Sequence, residues 1–193
     1  MRRRGRILEE LLVVEARAGN RRALEELVRL FHPRLMRLAA GLLGPGPATE
    51  DVVQEAWLGI VQGIGRLQDP ERFRSWAFQV AANKCRDWIR RRSRERQGIE
   101  RFRTEPAPAA ESPTEASDAP AWGHGTVRAA LAELPSGHRA AMELYYLEEL
   151  SVADIARTLG IAPGTVKSRL FHARRNCRLA MERAAKDREG RTT

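Results

Sequence analysis

The 193-residue chain lacks the features that mark secreted, membrane-bound and zinc-binding proteins. It has two cysteines, Cys85 and Cys177, far apart in sequence, which argues against a disulfide framework and against Cys-x-x-Cys zinc spacing. No window reaches the roughly 18 consecutive apolar residues of a transmembrane helix. The short apolar run at 11–14 is flanked by glutamates, unlike that of a signal peptide. We therefore expect a cytoplasmic protein without membrane insertion.

The chain also lacks the residue patterns of an enzyme. Its four histidines, at positions 32, 124, 138 and 172, are scattered, and no histidine or carboxylate cluster has the spacing of metal ligands. No glycine-rich phosphate loop and no nucleophile motif is present. We expect no catalytic residue, no metal and no cofactor, and we rank an enzyme such as a nuclease behind non-enzymatic functions.

Positive charge is abundant but unevenly distributed. The chain has 34 basic and 25 acidic residues, a formal charge of +9 and a pI near 10.8. Residues 1–103 carry 22 basic and 13 acidic side chains, residues 104–126 carry no basic and 4 acidic ones, and residues 127–193 carry 12 and 8. Two basic blocks therefore flank one acidic segment.

The acidic segment predicts a linker between two domains. Thr104 to Gly125 contains four prolines and few apolar residues, so little in it offsets the entropy of ordering. On either side, apolar residues recur at three- and four-residue spacing, which predicts helices. We expect an all-α protein with two small helical domains joined by a disordered linker. Its parts are an N-terminal extension (1–19), a first domain (20–98), the linker (99–126), a second domain (127–184) and a tail (185–193).

Caps and breakers predict where the helices begin and end. Asn20 is placed to cap a helix that the Gly44-Pro45-Gly46-Pro47 segment ends. Further helices are expected at about 49–64, from Phe73 into the arginines at 90–92, at 127–134, 139–147 and 151–159, and from Pro163 to about 184.

Residues 151–173, SVADIARTLGIAPGTVKSRLFHA, have the pattern of a helix-turn-helix. Ser151 and Asp154 form a capping-box variant, Gly160 permits a tight turn, and Pro163 suits the first turn of the next helix. The inner face of that second helix is expected to hold Val166, Leu170, Ala173 and Cys177, and the outer face Gly164, Lys167, Ser168, Phe171, His172 and Arg175. The outer face suits base edges and phosphates of a major groove; the alternative is a solvated helix of a bundle.

The helix expected at 49–64 combines an apolar face with an acidic one. Its inner face holds Val53, Ala56, Trp57, Ile60 and Ile64, and its outer face holds Asp51, Gln54, Glu55, Leu58 and Gln62. An outward leucine among acids, in a basic domain, indicates a protein partner with a basic and partly apolar groove. An ordinary solvated face with one stray leucine fits the pattern equally well.

Basic and aromatic residues alternate along the following segment, 66–92. Arginines interleaved with Trp76, Phe78 and Trp88 suit single-stranded DNA, because arginines neutralise its backbone and unstacked bases settle on aromatic or polar pockets. The alternative, favoured for most of these aromatic residues, is burial in the core, because Trp76 and Val80 lie one turn apart.

Taken together, these segments make the chain resemble the extracytoplasmic-function (ECF) sigma factors, the smallest class of the sigma-70 family of bacterial RNA polymerase initiation factors. ATEDVVQEAWL resembles that family's polymerase-clamp-binding helix, RFRSWAFQVAANKCRDWIRRR its −10 element reader, and LPSGHRAAMELYYLEELSVADIARTLGIAPGTVKSRLFHAR its −35 reader. The resemblance covers residues 20–96 and 127–180. The helix-turn-helix alone also fits the output domains of response regulators, whereas all three motifs in this order are highly specific.

The resemblance implies three sets of site residues. The residues implied to bind core polymerase are Asp51, Gln54, Glu55 and Leu58. The residues implied to bind the −10 element are Asp69, Arg72, Phe73, Asn83, Lys84, Arg86, Arg90 and Arg91. The resemblance also implies that the Leu67–Phe73 loop and Asn83 form a pocket for a flipped base. The residues implied to bind the −35 element are Thr165, Lys167, Ser168, Phe171, His172 and Arg175.

The implied partners are the clamp and flap of bacterial core RNA polymerase, promoter DNA in duplex and single-stranded form, and the anti-sigma factor that such proteins often have. The implied function is a transcription initiation factor that binds core polymerase, recognises the −35 and −10 elements and nucleates promoter melting. A stand-alone helix-turn-helix transcriptional regulator is the alternative.

Several positions depart from the family pattern. Gly59, Gly63 and Gly65 each lower helix propensity by about 1 kcal/mol relative to alanine, so early fraying of the clamp-binding helix is expected. Ala162 stands where a capping serine is common, which forfeits about 1 kcal/mol at the start of the recognition helix. His172 replaces a more typical arginine, which leaves the −35 sequence open and predicts pH-sensitive binding there.

Overall fold

The computed structural model describes residues 2–100 and 130–189, with side chains at 5–96 and 130–183. These residues form two helical units, one on either side of the segment 101–129. The described residues contain helices and no strand, which confirms the all-α prediction. The predicted linker lies outside the described residues, except for 99–100, which end a helix. None of the described helices is long and apolar enough to cross a bilayer.

The first unit is built from four α-helices in the part of the chain that the structure describes. They are α1 (Arg2–Arg17), α2 (Arg21–Leu43), α3 (Pro47–Gly63) and α4 (Phe73–Glu100). Two short 3-10 turns, at Ile64–Arg66 and Pro70–Arg72, lie between α3 and α4. The helices predicted at 49–64 and from Phe73 through the arginines are therefore present, with ends that differ by a few residues.

The ends of α2 agree with the caps predicted from the sequence. The side-chain oxygen of Asn20 accepts hydrogen bonds from the backbone N–H groups of Arg22 at 3.0 Å and Ala23 at 3.3 Å. These bonds satisfy two of the donors that a helix start leaves open. At the other end, Gly44 has a φ of +86° and its N–H donates to the carbonyl of Ala40. Because glycine adopts such a φ without a steric cost, the helix ends there as predicted.

Three phenylalanine rings form the centre of the first core. Phe31 of α2 contacts Phe73 edge-on at 5.1 Å between ring centroids and lies tilted against Phe78 at 6.4 Å. All three rings are at most 2% exposed, and large rings dominate the apolar area of a small core. The same unit contains further fully buried residues of α2 and α3, among them Leu27, Leu35, Leu38, Val53, Ala56 and Ile60. The start of α4 is thus fixed against α2 by aromatic packing.

Helix α1 packs against α2 as part of the same unit, although residues 1–19 gave no clear sign of this in the sequence. Val13 is fully buried, and the Glu9 carboxylate, 12% exposed, accepts hydrogen bonds from Arg34 at 3.0 Å and from Arg74 at 2.7 Å. This carboxylate joins α1 to α2 and α4. Its partners are 25 and 65 residues away, so no local sequence pattern reveals the contact.

We expect Glu9→Ala to lower the free energy of unfolding by about 1.5 kcal/mol, the lower end for hydrogen bonds to charged groups. The lower end applies because Arg34 and Arg74 have other interactions as well. Urea denaturation followed by circular dichroism measures the change. Glu10→Ala, the same substitution at the neighbouring position, is the control. Equal stability of the two variants would contradict the prediction.

The second unit contains the helix-turn-helix. In the residues described there, a helical turn at 130–132 precedes α5 (Ser136–Met142), a π-helical turn at Glu143–Leu147, α6 (Val152–Leu159) and α7 (Pro163–Glu189). Helix α5 starts three residues before the predicted Arg139. Gly137 lies within this helix under the guanidinium of Arg169, where a Cβ would be 2.7 Å from Nη1. Gly137, which lies between the helices predicted at 127–134 and 139–147, is therefore helical and allows close packing.

The turn between α6 and α7 follows the predicted chemistry. The Ser151 hydroxyl accepts a hydrogen bond from the backbone N–H of Asp154 at 3.1 Å and donates one to its carboxylate at 2.6 Å. Gly160 ends α6 in the left-handed region at φ +64°. The helix-turn-helix prediction is confirmed, with α7 as its second helix.

Candidate nucleic-acid interface

Helix α3 presents an acidic and partly apolar face to solvent. Leu58 is 64% exposed, and Asp51 and Gln54 are exposed beside it. Trp57 and Ile60, predicted for the inner face, are buried. The face therefore suits a basic partner with an apolar recess for Leu58.

Glu55, the remaining candidate on this face, is paired with α4. One carboxylate oxygen lies 3.3 Å from Nζ of Lys84, and the other lies 3.6 Å from a guanidinium nitrogen of Arg91. Lys84 and Arg91 are both candidates for binding −10 phosphates. The structure thus joins two predicted surfaces at one carboxylate, a contact that the sequence does not signal because its members are 29 or more residues apart.

Gly63 of α3 allows α4 to approach closely, whereas Gly59 leaves room for a methyl group. A Cβ at Gly59 would lie 3.4 Å from Val80, and one at Gly63 would lie 2.7 Å from the indole of Trp76. The second distance is shorter than van der Waals contact, so an alanine there would displace the indole. Helix α3 continues through Gly59 to Gly63, so the glycines do not end the helix early. At Gly63, the lower helix propensity of glycine accompanies close packing against α4.

A cleft opens where α3 ends and α4 begins. Its volume is about 620 Å³, within the range of small-molecule sites, and its walls are Gly63, Arg66, Leu67, Gln68, Asp69, Arg72 and Trp76. Asp69 organises this loop, since its side chain accepts a hydrogen bond from the N–H of Glu71 at 3.0 Å and lies 3.2 Å from Arg72. One half-buried aromatic ring, two guanidinium groups and an amide line a space large enough for a nucleobase.

The eight −10 candidates divide into three groups. Asp69 and Arg72 line the cleft. Phe73 is 2% exposed against Phe31, so its ring is not available at the surface, and we leave it out of the proposed DNA contacts. The remaining candidates, Asn83, Lys84, Arg86, Arg90 and Arg91, lie along α4. Asn83 does not line the cleft: it follows Trp76 by seven residues, two turns or about 10 Å along the same side of α4.

The cations of α4 differ in how free they are. Arg86 donates to the side chain of Asn83, and its Nη1 is buried without a hydrogen-bond partner among the side chains and backbone that the structure describes. Arg90 donates to Asp87 at 2.5 Å. Arg92 stacks over the ring of Trp88 at 5.2 Å, a cation–π contact. Of the three aromatic residues considered for base stacking, Phe78 is buried, whereas Trp76 and Trp88 are partly exposed. The surface is basic, and several of its cations already have intramolecular partners.

Helix α7 separates an inner and an outer face as the helical wheel predicted. Val166, Leu170 and Ala173 are at most 5% exposed, and Cys177 is half-buried. All six −35 candidates are exposed: Thr165, Lys167, Ser168, Phe171, His172 and Arg175. Phe171, at 59% exposure, is a large apolar group left uncovered between cations and hydroxyls. That combination suits contact with base edges and thymine methyl groups.

Two histidines stand together beside this face. The ring centroids of His138 and His172 are 6.5 Å apart, and Phe171 contacts His172 at 5.4 Å. Partial burial, the Arg169 guanidinium and His172 lower the pKa of His138 below its usual value. The lowered pKa favours the neutral form of His138.

The two cysteines are free thiols. Burial raises the pKa of Cys85 to about 12, so this thiol stays protonated and unreactive near neutral pH. Burial, followed by the charge of Glu133, also raises the pKa of the half-buried Cys177. Both shifts favour the protonated thiol.

Sequence comparison identifies the family of each unit. Residues 27–95 match the family model of Sigma-70 region 2, and residues 124–177 match that of Sigma-70, region 4. The chain is 34% identical over 169 residues to the ECF RNA polymerase sigma factor SigM of Mycobacterium tuberculosis, covering 86% of this chain and 80% of the relative. It is 38% identical over 149 residues to SigL of the same organism, covering 77% and 82%.

Two solved structures have a similar fold. One is the structure of CnrH in complex with the cytosolic domain of CnrY, with a TM-score of 0.57, 24% identity and coverage of 91% of this chain and 97% of that one. The other is the sigma factor RpoE in complex with the anti-sigma factor NepR from Bartonella quintana, with a TM-score of 0.60, 23% identity and coverage of 82% and 96%. At these identities the likeness concerns the fold alone.

Proposed function

Because the chain belongs to the sigma-70 family, and to its extracytoplasmic-function class of RNA polymerase sigma factors, we propose a division of labour among its surfaces. As a transcription initiation factor it binds core RNA polymerase and promoter DNA. The first unit docks on the polymerase clamp through α3 and takes the −10 strand along α4. The second unit reads the −35 element through α7 and meets the polymerase flap.

The main support for this proposal is that two suitable surfaces lie in the same unit as the cleft. The acidic and apolar face of α3, the cleft at its end and the basic surface of α4 belong to one small unit. We propose that a base flipped out of the −10 strand enters the cleft between Trp76 and Arg72. Flipping costs a few kcal/mol, which stacking and hydrogen bonds in such a cleft offset. The phosphates that follow would lie along the cations of α4.

Transcription in vitro tests the proposal. Core RNA polymerase with and without the protein is supplied with a genomic promoter library, and the start sites that depend on the protein are sequenced. We expect a set of promoters with shared −35 and −10 elements. Tight binding to duplex promoter DNA without polymerase, and no added transcription, would instead indicate a stand-alone regulator.

Two further assignments follow from the family. We propose that the protein acts in the cytoplasm, where core polymerase transcribes the chromosome. We also propose that an anti-sigma factor controls it, since one of the structures with a similar fold is a complex with such a factor.

We expect Asn83→Ala to slow promoter melting about tenfold while leaving binding to duplex promoter nearly unchanged. The exposed amide contacts DNA only after strand separation, and one such contact is worth about 1–3 kcal/mol. Permanganate reactivity of −10 thymines on a promoter from the library measures melting, and gel mobility measures binding.

Ser93→Ala, an exposed position further along α4, is the control for this substitution. Equal permanganate reactivity of the two variants would remove Asn83 from the −10 reader. A matching loss in duplex binding would give it a different role, as a contact made before melting.

A further inference from the structure

The shared ion pair of Glu55 links the surface proposed for polymerase to the surface proposed for DNA. Its carboxylate lies on α3 between the exposed Asp51 and Leu58, and its two oxygens are 3.3 Å from Lys84 and 3.6 Å from Arg91 on α4. Lys84 and Arg91 are seven residues apart, so they point to the same side of α4 two turns from each other. A single carboxylate thus forms ion pairs with two cations that lie on the proposed path of the DNA backbone.

These contacts are weak enough to be exchanged. The side chains of Lys84, Arg91 and Glu55 are 37%, 55% and 42% exposed, so water screens both pairs. A phosphate offers each cation an equivalent anionic partner, and the polymerase groove inferred above offers Glu55 an equivalent cationic one. The same three groups can therefore pair within the free protein or with two different macromolecules.

We propose that Glu55 restrains Lys84 and Arg91 in the free protein and releases them to DNA phosphates when it pairs with core polymerase. Polymerase docking then strengthens binding of the −10 strand, and by thermodynamic reciprocity DNA strengthens docking. This proposal rests on the function assigned above to α3 and α4. It makes Glu55 a positioning residue that lowers the affinity of the free factor for nucleic acid.

Other acids of α3 do not share this arrangement. Glu50 and Asp51 are exposed, and neither forms an ion pair with a residue that the structure describes. Glu50 therefore provides a matched control, because Glu50→Gln removes the same charge from the same helix without breaking a pair.

The test measures how free protein binds a short fluorescent single strand of mixed sequence, by anisotropy at several salt concentrations. We expect Glu55→Gln to bind about three- to tenfold more tightly than the natural sequence, the effect of losing two exposed ion pairs. The slope of log affinity against log salt should steepen by about 1.4, since two more phosphates are neutralised. Glu50→Gln should bind within about twofold of the natural protein.

A second pair of variants shows whether the gain passes through the two cations. In a background of Lys84→Gln with Arg91→Gln, adding Glu55→Gln should change affinity by less than about twofold, because no pair remains to break. A gain that persists in this background would reveal general charge repulsion and overturn the proposal. Weaker binding by Glu55→Gln alone would also overturn it, since Glu55 would then hold the cations ready for DNA.

The holoenzyme provides the comparison with the assigned function. On the same strand, holoenzymes formed with natural protein and with Glu55→Gln should differ by less than about twofold, because polymerase has already engaged position 55. A difference as large as in the free protein would contradict the release step. Failure of the natural protein to form a holoenzyme would instead contradict the assigned function, and the free-protein measurements would remain interpretable on their own.

Discussion

Binding to core RNA polymerase is expected to fall more than about 100-fold when Asp51→Arg and Leu58→Glu are combined. The two residues lie two turns apart on the same side of α3, and both side chains are exposed, Leu58 at 64%. The change places a cation against a basic groove and a charge in an apolar recess. Each defect costs about 2 kcal/mol or more at the centre of an interface.

The measurement is binding of labelled protein to immobilised core enzyme, with circular dichroism to show that the helices are intact. A matched variant, Leu11→Glu with Glu25→Arg, makes the same two kinds of change at exposed positions of α1 and α2. It should bind within about threefold of the natural protein, as expected for substitutions outside an interface. Equal losses in both variants would show that α3 is not the docking surface.

Glu55 is left unchanged in this test for a structural reason. An arginine at position 55 would face Lys84 and Arg91, so it would alter the DNA surface together with the polymerase surface. Within the described part of the chain, Asp51 and Leu58 make no such contact, and their substitution therefore isolates docking. The sequence alone did not distinguish the four polymerase-binding candidates on this face by their contacts, because helical periodicity assigns a side but no neighbour.

Local chemistry allowed much of the fold to be predicted. Asn20, Ser151 and Gly160 set helix ends through their own side chains or backbone freedom, and the structure confirms each of them. The inner and outer faces of α3 and α7 follow equally from periodicity, because burial on one side of a helix repeats every three to four residues.

Contacts between distant residues account for what the sequence did not reveal. The Glu9 carboxylate that fixes α1 reaches an arginine 65 residues away. Phe73, a candidate for DNA binding by its place in the loop, is instead held under Phe31 of α2. Gly63 was expected only to lower the helix propensity of α3. The sequence does not show that the Trp76 indole, which occupies the space that a Cβ of residue 63 would need, belongs to α4. In each case the decisive partner lies on another helix, and no local pattern encodes it.

Reversing two charges on α7, by Lys167→Glu with Arg175→Glu, is expected to lower transcription from promoters that depend on the −35 element about 100-fold. Both side chains are exposed on the outer face, eight residues or about 12 Å apart along the helix. The change removes two cations from the DNA surface and adds two anions that phosphates repel. Because this loss is electrostatic, it should become smaller as salt weakens the binding of the natural protein.

Transcription in vitro at several salt concentrations measures the effect, and polymerase binding by the same variant should be unchanged because α3 is intact. Arg183→Glu is the control: it lies on α7 about 24 Å beyond Lys167, outside the helix-turn-helix, and its side chain is exposed. A small loss in the double variant would contradict the assignment of α7 to the −35 element. A loss of similar size on promoters that lack this element would show that α7 acts through general attraction to DNA, without sequence recognition.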